Sequence, residues 1–425
     1  MKRFFFILSY LTVVFSLFSQ SDHSYKQFPY TPTLEESQLL PTWYKNAKAS
    51  TPPVGPVEAL AEFQPMGGVM VAYTDRFGIP VSLIGELSFI TQVKVLVYPA
   101  SDSNTVKNLL LAGGVNMENV QYWVINHDSY WTRDYGPWFI LNGNDQIGVV
   151  DFTYNRPSRP YDDAALQAVA QKMGVHRYEM PMVHTGGNYM VDGYGTAAST
   201  ELVLDENPNM TAASVQTMAH EYLGVDNYML LNDPLGEYIA HIDCWGKFLG
   251  VDKVLIGQVP VTDPRYNDYE DVASVFANSL SPWGNQYKVF RVFEPGSYYV
   301  TPYTNSLILN DHVFVPISGT QWDDMAISVY EQAMPGYTIL PIMQTHSAPL
   351  EKTDAYRDGK YSDAWCRKVR ECFNKNEKSI IKDEVFGQTA YTFVIPVLNY
   401  PFKLLIVKPE GHMYKAAYKL RKVHW

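Results

Sequence analysis

The sequence predicts an α/β fold built from repeated modules. Its 425 residues are 46% hydrophobic and only 18% charged, which favours a large folded core over disorder. From about residue 63 onward, apolar runs of strand length alternate with segments of helix length, and several strands come in pairs. No sequence-identical repeat is visible, so the prediction of modules depends on this alternation of elements.

The alternation assigns the elements in chain order. The predicted strands lie at 67–73, 93–98, 120–125, 146–152, 175–180, 189–191, 238–242, 254–256, 287–292, 306–309, 312–315 and 338–341. The predicted helices lie at 81–89, 103–112, 162–173, 212–223, 268–279 and 325–333.

Both ends of the chain differ from this central domain, which we place at 61–349. Residues 21–60 are polar and contain several prolines, which favours an extended leader packed on the surface. Residues 350–385 are rich in charge, and 386–425 contain short apolar runs. We therefore expect a C-terminal segment, 350–425, that is altered or forms part of a further β domain.

The first 20 residues have the pattern of a secretory signal peptide. A basic start, Met1-Lys2-Arg3, precedes an apolar run from Phe4 to Phe18 and a polar stretch. The run is short for a membrane span, and no second span is visible. We expect a mature protein without a membrane span, located in the periplasm, at the cell surface or outside the cell. The formal net charge of the full chain, -11, disfavours nucleic acid as a partner.

The stretch 238–247, Tyr-Ile-Ala-His-Ile-Asp-Cys-Trp-Gly-Lys, begins as a short predicted strand. Side chains alternate along a strand, so His241 and Asp243 would share one face and Cys244 would point to the other. An imidazole beside a carboxylate can move a proton while the carboxylate holds a cation. The alternative is a buried structural pair, because such pairs also form without any catalytic role.

The stretch 131–138, Trp-Thr-Arg-Asp-Tyr-Gly-Pro-Trp, places a carboxylate between two indoles. This combination suits a flat, delocalised cation such as guanidinium, because the rings can stack on its face while Asp134 accepts its N–H donors. The alternative is an Arg–Asp salt bridge at a turn, with both tryptophans in the core.

Five motifs together resemble the guanidino-group-modifying, or pentein, superfamily, and most closely its bacterial peptidylarginine deiminase and agmatine deiminase branch. They are 131–138, Asp-Phe-Thr-Tyr-Asn-Arg-Pro at 151–157, Thr-Gly-Gly-Asn-Tyr-Met at 185–190, His-Ile-Asp-Cys-Trp-Gly-Lys at 241–247, and Tyr-Thr-Asn-Ser-Leu-Ile-Leu-Asn at 303–310. The resemblance covers roughly residues 60–345 and implies a propeller of five ββαβ modules.

The resemblance also implies the chemistry, which needs no metal or other cofactor. Asp134 and Asp243 would bind the guanidinium of the substrate, with Trp131 and Tyr238 beside it. His241 would protonate the departing ammonia and then activate water, and Asn305 would support the site. A cysteine thiolate would attack the central carbon to give a covalent thiouronium intermediate.

Two family features match less closely. The resemblance implies that Arg156 and Arg159 hold a terminal carboxylate of the substrate, but here Ser158 widens the spacing between them. The family cysteine follows a Thr-Asp-Ala stretch, whereas Thr353-Asp354-Ala355 leads to Tyr356-Arg357. Ser-Asp-Ala-Trp-Cys-Arg at 362–367 is a second match and makes Cys366 the candidate nucleophile.

Three functions follow from these residues. The first is a secreted deiminase that converts arginine in peptides or proteins to citrulline. The second is a deiminase of agmatine, free arginine or another small guanidine. The third is an inactive guanidinium-binding protein, in which no cysteine is correctly placed.

Overall fold

The computed structural model describes residues 28–236, 239–294 and 303–343, together with the backbone of four strands at 354–356, 380–385, 388–394 and 403–407. Within these residues, no helix is long and apolar enough to cross a membrane.

The helices of the described part vary from one turn to four. They are α1 (Leu34–Trp43), α2 (Val81–Ile90), α3 (Asp102–Ala112), α4 (Thr132–Tyr135), α5 (Pro160–Met173), α6 (Leu202–Glu206), α7 (Ala212–Leu223), α8 (Tyr266–Asn278) and α9 (Asp323–Ala333).

The strands are mostly short. They are β1 (Glu58–Ala59), β2 (Gly68–Ala72), β3 (Gln92–Val97), β4 (Val120–Val124), β5 (Trp138–Leu141), β6 (Ile147–Tyr154), β7 (His176–His184), β8 (Met190–Val191), β9 (Thr196–Thr200), β10 (Asn227–Leu231), β11 (Gly246–Gly250), β12 (Lys253–Gln258), β13 (Lys288–Phe293), β14 (Leu307–Leu309), β15 (His312–Ile317), β16 (Thr338–Met343), β17 (Asp354–Tyr356), β18 (Ile380–Val385), β19 (Gln388–Val394) and β20 (Lys403–Val407).

Five small sheets share one pairing pattern. Each contains an antiparallel pair followed by a parallel pair, in the orders β17-β2-β3, β5-β6-β7, β8-β9-β10, β11-β12-β13 and β14-β15-β16. A helix connects the two parallel strands in every case, as a parallel crossover requires. The predicted α/β class is confirmed, and the closed five-module propeller stays a prediction.

Two parallel strands of the first sheet, β2 and β3, are buried. All five residues of β2 are buried, and β3 is buried except for its first residue. The helices have recognisable ends. α5 begins with Pro160 and ends at Gly174, whose φ of 66° is a conformation that glycine adopts without strain. These local signals explain why the helices predicted at 162–173 and 212–223 match the structure closely.

The sequence predicted a leader that is extended throughout. The structure instead contains a helix, α1, within it. Thr33 and Glu36 form a reciprocal capping box at the start of α1, a ten-residue helix. The prediction of an extended leader was based on its prolines, but one of them, Pro41, lies inside this helix.

The predicted strand at 238–242 is also wrong. Ala240 has a φ of 43°, which ends an extended chain, and a 3-10 helix follows at Ile242–Cys244. Strands β9, β10 and β11 were absent from the prediction, since their runs contain small or mixed residues.

The C-terminal segment adds a strand to the first sheet. Strand β17 pairs with β2 in the register Asp354↔Met70, so this sheet includes chain beyond the predicted domain boundary at 349. Strands β18, β19 and β20 form a separate antiparallel sheet. The sequence indicated two of these three strands, at 391–397 and 402–407.

Candidate active site

Asp134 and His241 come together from two different sheets of the fold. Asp134 lies in α4, just before β5, and His241 precedes the 3-10 helix that leads into β11. Both side chains are buried, and Nδ1 of His241 lies 3.7 Å from Oδ1 of Asp134. This separation is too long for a hydrogen bond but brings the carboxylate and the imidazole into one site.

Gly187 allows this close approach. It lies in a 3-10 helix, Gly186–Asn188, whose residues are buried. A Cβ atom at position 187 would lie 2.3 Å from Nδ1 of His241 and 2.9 Å from Oδ1 of Asp134. Only glycine fits there, so the second glycine of the 185–190 motif makes room for the side chains of His241 and Asp134.

Asp243 lies two residues after His241, within the 3-10 helix. Nδ2 of the buried Asn305 donates a hydrogen bond to the backbone oxygen of Asp243 at 3.3 Å. The thiol of Cys244 bonds to the Asp243 carboxylate, so the prediction that Cys244 points away from it is wrong. The 3-10 helix turns adjacent side chains together, whereas a strand would have separated them.

Several buried polar atoms at this site lack a hydrogen-bond partner among the described residues, and two of them belong to the proposed catalytic groups. They are Nε2 of His241 and Oδ1 of Asp243. A buried polar atom without a partner costs about 1–3 kcal/mol, and other buried atoms of the described chain, such as Oδ1 of Asp252 and Oη of Tyr269, also lack one. The position of the His241 and Asp243 atoms is consistent with a site that a cationic, hydrogen-bonding ligand completes.

Burial controls the protonation of both groups. It raises the pKa of Asp243 to about 6, although the nearby cations Arg133 and Lys247 act in the opposite direction. Burial also lowers the pKa of His241 well below its ordinary value, and the positive charge of Arg156 adds to this effect. At neutral pH the imidazole is therefore neutral and the carboxylate of Asp243 is ionised.

A pocket that is partly open to solvent reaches Asp243. Its walls combine aromatic residues with charged groups. Trp138 and Tyr189 line it and stack on each other with ring centroids 4.0 Å apart. Glu62, Arg133 and Lys247 also line it. The sequence singled out neither Glu62 nor Lys247, because sequence spacing does not reveal contacts between distant segments.

Trp131, Arg156 and Arg159 bind the leader. Nε1 of Trp131 donates to the backbone oxygen of Phe28 at 3.2 Å, and Nη2 of Arg156 donates to that of Tyr30 at 3.0 Å. Arg159 is fully buried and forms an ion pair with Glu36, with Nε 3.0 Å from Oε1. Several guanidinium donors are thus occupied within the chain, while Nε of Arg156 and Nη1 of Arg159 have no partner among the described residues, and the carboxylate clamp stays a prediction.

Two predicted site residues, Tyr238 and Cys366, lie outside the described residues, as does Cys372. Cys244 is described, and its side chain is buried. Within the described part of the chain, no group of three or more His, Cys, Asp or Glu side chains could hold a metal ion.

Two carboxylates and a histidine, Asp134, Asp243 and His241, are buried near an aromatic-walled pocket that Asp243 lines, as the motif resemblance implies for a guanidino-group deiminase. Comparison with known families agrees. The sequence profile of the Porphyromonas-type peptidyl-arginine deiminases matches residues 79–348, and the chain belongs to this family. The resemblance inferred from the motifs is thereby confirmed.

Individual relatives fall in the same group. A protein of Mycoplasma mycoides, provisionally named an agmatine deiminase, is 26% identical over 53% of this chain and 72% of its own length. The solved agmatine deiminase of Enterococcus faecalis has a TM-score of 0.61 at 21% identity, over 74% of this chain and 97% of its own. A Porphyromonas gingivalis structure, provisionally named an arginine deiminase, has a TM-score of 0.63 at 19% identity, over 71% and 99%. These structural likenesses extend the shared fold to most of the chain.

Proposed function

We propose that the protein hydrolyses a small cationic guanidine of the agmatine or free-arginine type, releasing ammonia and leaving a carbamoyl group. The observation that carries this proposal is the pair of buried atoms, Nε2 of His241 and Oδ1 of Asp243, that lack a partner among the described residues. Asp134 adds a second carboxylate beside them. Two carboxylates can accept the N–H donors of one guanidinium on its two edges.

In the proposed reaction, a cysteine thiolate attacks the central guanidinium carbon. His241, neutral in the free enzyme, accepts the thiol proton and donates it to the departing nitrogen, which leaves as ammonia. The covalent thiouronium that remains is attacked by water, from which the same imidazole removes a proton. The thiolate then departs, so guanidinium and water become a urea group and ammonium. We assign the thiolate to Cys366.

A small substrate is favoured over a peptide by the leader contacts. Nη2 of Arg156 and Nη2 of Arg159 donate to backbone oxygens of residues 29–31, and Glu36 neutralises Arg159. A carboxylate at the end of a peptide, like that of free arginine, would have to displace these contacts, so agmatine is the favoured member of the two small guanidines. The relatives named agmatine deiminases agree with a small guanidine, since agmatine carries no carboxylate.

The second candidate is a peptidylarginine deiminase, which the description of the matching family favours. A substrate panel separates the two. We expect agmatine or free arginine to give the highest kcat/KM, and peptides with a free or amidated C-terminal arginine to react slowly and equally. A preference for the free C-terminus over the amide would establish the carboxylate clamp and the peptide substrate.

We also propose that the chain is exported after removal of residues 1–20, because a basic start precedes a short apolar run. We propose the five-module propeller as well, because five sheets of the fold share one pairing pattern. Determining the N-terminus of the mature protein tests export. A mature N-terminus at Met1 would contradict it.

A further inference from the structure

Glu62 connects the half-buried Arg133 with the buried Lys247 beside the candidate active site. Its Oε2 lies 2.6 Å from Nη2 of Arg133 and 3.1 Å from Nζ of Lys247, and Oε1 accepts the backbone N–H of Ile308 at 2.7 Å. We call Glu62, Arg133 and Lys247 the charge cluster. Glu62 precedes the region that the family profile covers, residues 79–348.

The partners of Glu62 lie on the three segments that carry the proposed catalytic side chains. Arg133 immediately precedes Asp134 in α4. Lys247 lies in β11, directly after the 3-10 helix that holds Asp243. Ile308 lies in β14, three residues after Asn305. One carboxylate therefore joins the segments of both substrate carboxylates and of the supporting asparagine.

The charge cluster also affects how available Asp243 is to a substrate. Arg133 and Lys247 both lower the pKa of Asp243, so their charges lie close enough to act on it, while Glu62 raises it. Burial alone would raise the pKa of Glu62, but Lys247 and Arg133 outweigh burial and keep it ionised. Without the Glu62 carboxylate, Arg133 or Lys247 could pair with Asp243. That cation would then compete with the substrate guanidinium for the carboxylate oxygens of Asp243.

We propose that Glu62 is a positioning residue, which holds Arg133 and Lys247 in ion pairs and so leaves the Asp243 carboxylate for the cationic substrate. This inference rests on the proposed function, since it concerns the same site. It adds a residue that touches no reacting atom and acts through two cations.

Kinetics of Glu62→Gln with agmatine test the inference in solution. We expect KM to rise at least tenfold while kcat changes less, because the side chain keeps its shape but no longer neutralises the two cations. We also expect the acidic limb of the kcat/KM profile to move to lower pH. The groups that act on the pKa of Asp243 are Arg133, Lys247, Cys244 and Glu62.

Three further variants separate positioning from stability. Glu62→Asp keeps the charge, so its KM should lie between those of wild type and Glu62→Gln. Adding Lys247→Met to Glu62→Gln removes one competing cation and should lower KM again. Asp151→Asn is the matched control, because it removes a buried carboxylate that pairs with Arg177, and it should leave KM and the acidic limb within twofold of wild type.

A crystal structure of Glu62→Gln gives an answer that does not depend on activity. We expect Arg133 or Lys247 to lie within hydrogen-bond distance of the Asp243 carboxylate. If both cations stay in place and KM and the acidic limb are unchanged in an active enzyme, the inference is wrong. If wild type deiminates no guanidine but the cations still move in the variant, the proposed function fails and the positioning role stands.

Discussion

Nδ1 of His241 lies 3.7 Å from Oδ1 of Asp134, although 107 positions separate the two residues in the sequence. The backbone of Gly187 passes so close to both side chains that no Cβ atom fits there. The relationship places a proton carrier directly beside a carboxylate that can hold a substrate cation. The first of the five predictions below tests this arrangement.

Replacing Gly187 by alanine should inactivate the enzyme without unfolding it. The new Cβ would lie 2.3 Å from Nδ1 of His241, so the imidazole must move. Misplacement of a catalytic group by about 1 Å can cost about 100-fold in rate, and we expect a loss of that size in kcat. Steady-state kinetics and a thermal melt measure the two effects separately.

Gly250→Ala is the control for this substitution. Its Cβ would meet only atoms of Lys253 at 3.9 Å, which is an ordinary contact. The control should retain wild-type activity. Equal activity of Gly187→Ala and Gly250→Ala would mean that His241 does not need its present position.

The activity should fall in acid as Asp243 becomes protonated. Burial raises the pKa of this carboxyl to about 6, and only the ionised form attracts a guanidinium. We therefore expect kcat/KM to be constant well above pH 6 and to fall tenfold per pH unit well below it. His241, whose pKa is lowered well below its ordinary value, should not contribute near pH 6. A profile that stays flat down to pH 4.5 would exclude Asp243 as the titrating group.

The fold should depend on the ion pair between Arg159 and Glu36. Both side chains are fully buried, so Arg159→Leu leaves the Glu36 carboxylate without its partner. Breaking a buried pair in this way typically costs about 3–5 kcal/mol in the free energy of unfolding. Urea denaturation measures the loss, and adding Glu36→Leu should restore part of it. A loss below about 1 kcal/mol would show that the leader is not anchored by this pair.

Cysteine variants identify the nucleophile. We expect Cys366→Ser to abolish turnover, Cys372→Ser to retain it, and iodoacetamide to alkylate Cys366 first, with substrate protecting it. Cys244→Ala should change the pH profile instead, because the Cys244 thiol bonds to the Asp243 carboxylate. An active Cys366→Ser variant would transfer the nucleophilic role to another residue or exclude covalent catalysis.

Local signals in the sequence were sufficient for much of the fold. The helix at 212–223 was predicted at its observed bounds, because a capping box starts it and Gly224 ends it. Motif order indicated the family, and Asp134, His241 and Asp243 were proposed from their chemistry. The backbone conformation at the site was not predicted from the sequence. The positive φ of Ala240 ends the predicted strand, and a 3-10 helix follows.

Long-range contacts could not be predicted from sequence spacing. Glu62 lies 71 residues from Arg133 and 185 from Lys247 along the chain, yet all three share one cluster. Arg159 was assigned to the substrate because its neighbours match a family motif. Its partner, Glu36, lies 123 residues earlier in a leader that was expected to be extended. Only the tertiary fold reveals that this pair exists.

Ammonium release from agmatine by wild type, Asp243→Asn and Asp151→Asn tests the central claim most directly. Removing the Asp243 charge leaves the substrate cation without a buried partner, which typically costs 2–5 kcal/mol, or about 30-fold to several thousand-fold in kcat/KM. We expect a loss in that range for Asp243→Asn, and wild-type activity for Asp151→Asn, whose buried carboxylate pairs with Arg177 instead. Wild-type turnover by Asp243→Asn would contradict the assignment of Asp134 and Asp243 as the guanidinium site.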